Sequence, residues 1–207
     1  MPSVTLTAIR EVSLWLKPRL ADFEWRRKSP HFIRERGTLV HGIHFQASQF
    51  GSADSGRFTI NLVVTEPRVY RAWCGRPLPA NPATALYPVQ ERIGRLDSKR
   101  RDHWWDITAS TNISDVEIEV FGLLQKAEEL FFPQFMSLEA MLDRLRTTGA
   151  LPGLHGGQRA VVQGVLAAVL GHTKEAERVL RDLAASSTVP GFTRNVTEAA
   201  KNVGITI

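Results

Sequence analysis

Two stretches of strict alternation stand at the centre of the chain. Between Val40 and Ser48, Ile43, Phe45 and Ala47 fall on one side, and Gly42, His44, Gln46 and Ser48 on the other. Between Arg57 and Thr65, Phe58, Ile60, Leu62 and Val64 share a face, while Arg57, Thr59, Asn61 and Val63 share the opposite one. The connection, Phe50 to Gly56, carries two glycines, two serines and an aspartate, which is turn chemistry. The pattern predicts an antiparallel pair. Aligning the apolar faces forces His44, Gln46, Arg57, Thr59 and Asn61 onto one polar surface, because a one-residue slip would reverse it.

Around this pair the period changes. Ile9, Val12, Leu16 and Leu20 recur at steps of three and four, predicting a helix over Leu6–Leu20 whose regular part ends near Leu16, since Pro18 disfavours continuation. Phe32–Arg36 reads as a short strand. Glu66–Pro88, proline- and alanine-rich towards its end, reads as irregular. His103–Ile107 reads as a further strand with Trp104 and Trp105 on opposite faces, one in the core and the other on the polar face. After Thr108 the spacing is helical. Ser114 and Glu117 suit a capping box, and Val116, Val120, Leu123, Leu124, Ala127, Leu130 and Phe131 form a stripe that Pro133 stops. Ser137–Arg146 is a second helix, with Gly149 beyond it. PGLHGG (152–157) reads as a linker, followed by helices over Gln158–Leu170, Lys174–Ala185 and Thr193–Lys201. The stretch LAAVLGHTKEAERVLRDL is similar to one tetratricopeptide-type hairpin, without the second copy an array needs. The expectation is an α+β fold: an antiparallel sheet of three to five strands with helices on its apolar face (residues 1–149), followed by a small helical tail (150–207).

Charge divides the chain unevenly. Residues 1–108 hold 17 Lys and Arg against 10 Asp and Glu, and residues 109–207 hold 9 against 11. The basic sheet half fits nucleic acid or an acidic partner, or simply an arginine-rich solvated surface. Cys74 is the single cysteine, so no disulfide forms within the chain and a reducing cytoplasm is the expected location. The longest apolar run, Val165–Leu170, is too short to span a bilayer, and charged Arg10 and Glu11 precede any apolar run at the N-terminus. No membrane association is expected.

Candidate chemistry is sparse. His41 and His44, three apart in a strand, point to opposite faces and do not share a metal; no metal or cofactor set is expected. Cys74 lies between Arg71 and Arg76, which favours the thiolate, but a lone cysteine is also an ordinary packing residue. Ser52 and Ser55 lie in a hairpin loop, not a nucleophile elbow. Lys99, Arg100 and Arg101 beside Trp104 and Trp105 suit phosphate contact with base stacking, or an ordinary solvated turn. The strongest candidate is the polar sheet face: His44, Gln46, Arg57 and Asn61, with Arg92, Arg95 and Trp104 or Trp105 beside them. Arginine and asparagine there offer planar hydrogen bonding to a ligand, or else hold a covering loop as part of the scaffold.

At GRFTINL, and again at ERIGRL followed by DHWWDI, the chain resembles an uncharacterised bacterial family, domain of unknown function 4304, from the first helix to about Arg146. Val63 departs from the small residue expected after Asn61-Leu62. The resemblance implies a cytosolic α+β domain and carries no activity with it. The leading expectation is therefore a non-enzymatic protein-binding module of adaptor or immunity type. Two alternatives are a nucleic-acid-associated protein using the basic half, and a ligand binder or enzyme whose site is the polar face.

Overall fold

The computed structural model describes residues 3–80, 85, 87–97 and 101–207. The fold is α+β, built on one antiparallel sheet. The first helix, α1 (Val4–Arg19), is capped by the Ser3 hydroxyl and runs through Pro18. Pro18 sits in the last turn, where it removes a single amide donor, and Leu16 and Leu20 are anchored in the core beneath it. The Arg19 guanidinium also donates to the Trp15 carbonyl, closing the helix end.

Strands β1 (Arg26–Lys28), β2 (His31–Arg36), β3 (Leu39–Ala47) and β4 (Ser55–Thr65) follow as a meander. The β3–β4 register pairs His44 with Asn61, Phe45 with Ile60 and Gln46 with Thr59, which is the face assignment that alternation requires. Gly42 lies opposite Val63, and a Cβ at Gly42 would meet Val63 Cγ2 at 2.7 Å and His44 Nε2 at 2.8 Å. The space a small residue would leave at position 63 is thus supplied by the facing strand.

Beyond β4 the sheet divides. Strand β5 (Val89–Arg92) pairs with Asn61–Val64, and β6 (Trp105–Thr108) pairs with Ser55–Phe58, so two short strands lie end to end along one edge of β4. Among the described residues the sheet has six strands. A short 3-10 turn, Ile93–Leu96, leaves β5 and breaks the period-two pattern immediately after Arg92.

The apolar face is closed by α1, by α3 (Ile113–Leu130) and by a 3-10 turn over Phe132–Phe135. The cap of α3 is Asn112, which accepts from the Ser114 amide and donates to Asp115, so the expected Ser114–Glu117 box is replaced by a pairing two residues earlier. Beyond it, α4 (Leu138–Thr148) starts at the Ser137 cap and stops at left-handed Gly149.

The segment expected to be irregular contains α2 (Pro67–Cys74). Glu66 caps it by accepting from the Val69 amide, Pro67 occupies its first position, and Gly75 ends it at φ 69°. Proline at the start and glycine just past the end are a helix signature in their own right. Helices α5 (Gly157–Val169), α6 (Thr173–Ser186) and α7 (Pro190–Asn202) follow the 152–157 break, and α5 and α7 pack against α2. Asn202 donates to the Ala72 carbonyl, and the Pro152 carbonyl accepts from the Gln90 amide of β5. Among the described residues no helix is long and apolar enough to cross a membrane.

Candidate functional site

The polar face of the sheet changes character along its length. Towards one end it is closed: His44, Asn61, Thr59 and Thr65 are buried. His44 meets the Tyr87 hydroxyl at 3.4 Å and packs edge-on against His31. The Nδ1 atom of His31 accepts from the Phe45 amide at 3.2 Å. Burial holds both imidazoles below their ordinary pKa, His44 at about 3, so they are uncharged scaffold.

Towards the β3–β4 loop the same face opens into a cleft of about 400 Å³ bounded by Gln46, Ser48, Phe50, Arg57, Arg92 and Trp104. Strand register explains this convergence. Arg57 comes from β4, Arg92 lies opposite Asn61 on β5, and Trp104 immediately precedes β6. Trp104 therefore stands at the junction of the two half-strands, with the Arg57 guanidinium carbon 4.9 Å and that of Arg92 5.2 Å from its ring centroid.

The hydrogen-bonding sense of the wall follows from a chain of amides. Gln90 donates to Asn61 Oδ1 at 3.4 Å, and Asn61 donates from Nδ2 to Gln46 Oε1 at 2.9 Å. With its oxygen engaged, Gln46 turns its NH2 group outward. Ser48 Oγ already accepts from the Phe50 amide, which frees the hydroxyl proton. Among the described residues neither Arg57 nor Arg92 has an ion-pair partner, and Arg92 Nη1 lacks a hydrogen-bond partner. The cleft thus presents donors and positive charge around an aromatic ring.

The sequence candidates separate accordingly. Gln46, Arg57, Arg92 and Trp104 come together at the cleft, with Asn61 beneath Gln46 and His44 deeper in the closed part. Arg95 lies on the 3-10 turn and is engaged by Glu91 at 3.8 Å and Asp102 at 3.3 Å, away from the cleft. Trp105 points into the core, stacks on Phe58 and donates to Glu119 at 2.7 Å. Among the described residues Arg57 forms no ion pair with Glu91 or with Asp106. Lys99 and Arg100 lie outside the described residues. Ser48, on the polar side of β3 by alternation, and Phe50, at the mouth of the hairpin, also line the cleft without being among the sequence candidates. Cys74 ends α2, and burial raises its thiol pKa, opposing the effect expected from its basic neighbours.

A second cavity, about 580 Å³, lies on the other side of β6 between the 3-10 turn and α3. There the Glu119 carboxylate accepts from the Trp105 indole and lies 3.3 Å from His103 Nε2.

Gly94 couples the two regions. A Cβ on it would fall 2.6 Å from the Arg101 carbonyl oxygen and 2.6 Å from the His103 amide nitrogen, both backbone atoms. Gly94→Ala should push away the strand segment that carries Trp104 and cost about 1–3 kcal/mol. Urea unfolding would show the loss and the tryptophan emission spectrum the displacement; an unchanged spectrum and midpoint would show that the segment yields freely.

No curated protein and no solved structure matches the chain. Residues 16–135 match a family model, a span that holds all six strands and every residue of the cleft and ends before α4. The chain therefore belongs to the family described as Domain of unknown function (DUF4304).

Proposed function

We propose that the chain is a binding module whose working surface is the cleft between Arg57, Arg92 and Trp104, and that it takes an anionic, acceptor-rich group. The observation that carries this reading is the one-sided chemistry of the wall: two guanidinium groups that form no ion pair among the described residues, and an amide whose oxygen is already engaged. A phosphate or carboxylate satisfies all of these at once, and charge-assisted hydrogen bonds to arginine are the strong ones. The basic excess of residues 1–108 draws such a ligand in. An acidic segment of a partner protein would satisfy the same donors, and the adaptor or immunity-like role corresponds to that occupant.

The test uses tripolyphosphate as the probe, followed by calorimetry at low salt. The Arg57 side chain is exposed and makes no hydrogen bond among the described residues, so Arg57→Ala should leave the unfolding midpoint unchanged. It should weaken binding by roughly tenfold, since one charge-assisted hydrogen bond contributes about 1.5–3 kcal/mol. Equal binding by the wild type and by both Arg57→Ala and Arg92→Ala would place the anion elsewhere and overturn the reading.

A further inference from the structure

We propose that the occupant of the cleft is a nucleotide unit, its base stacked on Trp104 and its phosphate held by Arg57 and Arg92. This rests on the reading of the cleft as an anion site and goes one step beyond it. An inorganic anion or an acidic peptide requires only the donors. It gives no role to the indole between them, nor to Phe50, which stands 75% exposed at the rim. A side chain of that size left in water forgoes burial worth about 1.5–3 kcal/mol, and here it stands beside a second aromatic ring and two cations.

Aromatic surface interleaved with arginine is the arrangement that holds single-stranded nucleic acid. Every base has a face that stacks, every nucleotide brings a phosphate, and the guanidinium itself stacks as well as pairing. Both guanidinium carbons lie over the Trp104 ring, about 5 Å from its centroid, so a base that stacks there displaces a guanidinium from the ring and leaves it beside the phosphate of that same nucleotide. The outward amide of Gln46, held by Asn61, adds a fixed donor for a base edge or a sugar oxygen. The cleft is a groove, not a closed cavity, and lies in the half of the chain where cations outnumber anions 17 to 10. The same chemistry is presented by a free nucleotide and by a nucleotide within a strand.

The experiment is fluorescence anisotropy at low salt with three labelled probes of equal length: a thymidine oligonucleotide, the same backbone without bases, and an oligoglutamate. Unlabelled mononucleotides are titrated in parallel by tryptophan quenching. The base-bearing strand should bind roughly tenfold or more tighter than the abasic one, as stacking contributes about 1–3 kcal/mol per base. Trp104→Ala and Phe50→Ala should erase that difference, and Trp104→Phe should restore part of it. Unchanged urea midpoints in these variants show that the loss belongs to the site. Quenching by mononucleotides identifies the free form as sufficient; response to the strand alone identifies the polymer.

Equal binding of abasic and base-bearing strands overturns the nucleotide assignment and leaves an anion site that reads charge alone. Tighter binding of oligoglutamate overturns it in favour of an acidic protein partner. Loss of every anion, tripolyphosphate included, overturns the assignment and the anion reading together.

Discussion

Replacing Glu128 with alanine should lower the unfolding free energy by about 3–5 kcal/mol, the cost of leaving a buried charge without its partner. Glu128, on α3, lies 2.7 Å from the Arg34 guanidinium, and the two side chains are 15% and 5% exposed. Its other oxygen accepts from the Trp25 indole at 2.7 Å. Arg34 is otherwise committed on every side: it donates to the Phe23 carbonyl and to His41 Nδ1, and lies over the rings of Trp25 and Phe132. At 5% exposure Arg34 has little access to solvent that could replace the lost carboxylate. Glu128→Gln keeps the volume but not the charge, and should retain most of the loss. Arg34→Met combined with Glu128→Leu removes both charges and should recover much of it. Chemical unfolding of the three variants checks the expectation. A Glu128→Gln protein as stable as the wild type would show that shape, not charge, holds α3 to the sheet.

Acidification should destabilise the fold well before its ordinary carboxylates are protonated. Burial is the main cause that pulls His41 down to about 4, with the Arg34 charge adding to it. Burial likewise takes His44 to about 3, with neighbouring His31 adding to it. Both rings are neutral when folded, whereas an unfolded imidazole takes up its proton near pH 6.5. Below that pH the unfolded chain binds more protons, so stability falls as pH falls. The contribution is complete above pH 6.5. It is lost progressively down to about pH 4 for His41 and about pH 3 for His44. Each ring accounts for up to roughly 1.4 kcal/mol per pH unit within its window. Urea midpoints measured between pH 7 and pH 5 should therefore decline, and His44→Gln should flatten part of the slope. A level profile in the wild type would mean that neither ring is sequestered.

The sequence makes the central hairpin legible because both of its faces are decided by the same constraint. Ile43, Phe45, Ile60 and Leu62 can be buried together only if His44, Gln46, Thr59 and Asn61 are grouped on the other side. Alternation says which residues share a face, but it is silent on what covers that face. His44, Asn61 and Thr59 are buried while Arg57, one alternation beyond Thr59, is open. Nothing local separates them, because the cover arrives from Tyr87, far along the chain. Arg95 shows a second limit. Period-two reasoning carries from Glu91 only to Arg92, and the 3-10 turn then rotates Arg95 towards Asp102. The Trp104–Trp105 pair is the opposite case, where adjacency at the start of a strand is enough to send one ring to the core and one to the cleft. Helix α2 was obscured by the proline-rich segment behind it, although Pro67 and Gly75 mark its ends. Asn112 capped α3 ahead of Ser114 because an asparagine two residues upstream competes for the same amides.

The end-to-end placement of β5 and β6 also bears on how copies of this protein meet in a crowded solution. A sheet margin recruits another chain by offering it a continuous row of unpaired amides and carbonyls. Here one margin is shared by two four-residue strands with a turn between them, and the other is β1, three residues long and made of Arg26, Arg27 and Lys28. An incoming strand would run out of ladder on the first side and meet its own like charges on the second. The division that sets Trp104 between two arginines thus leaves the sheet a poor template for fibre growth.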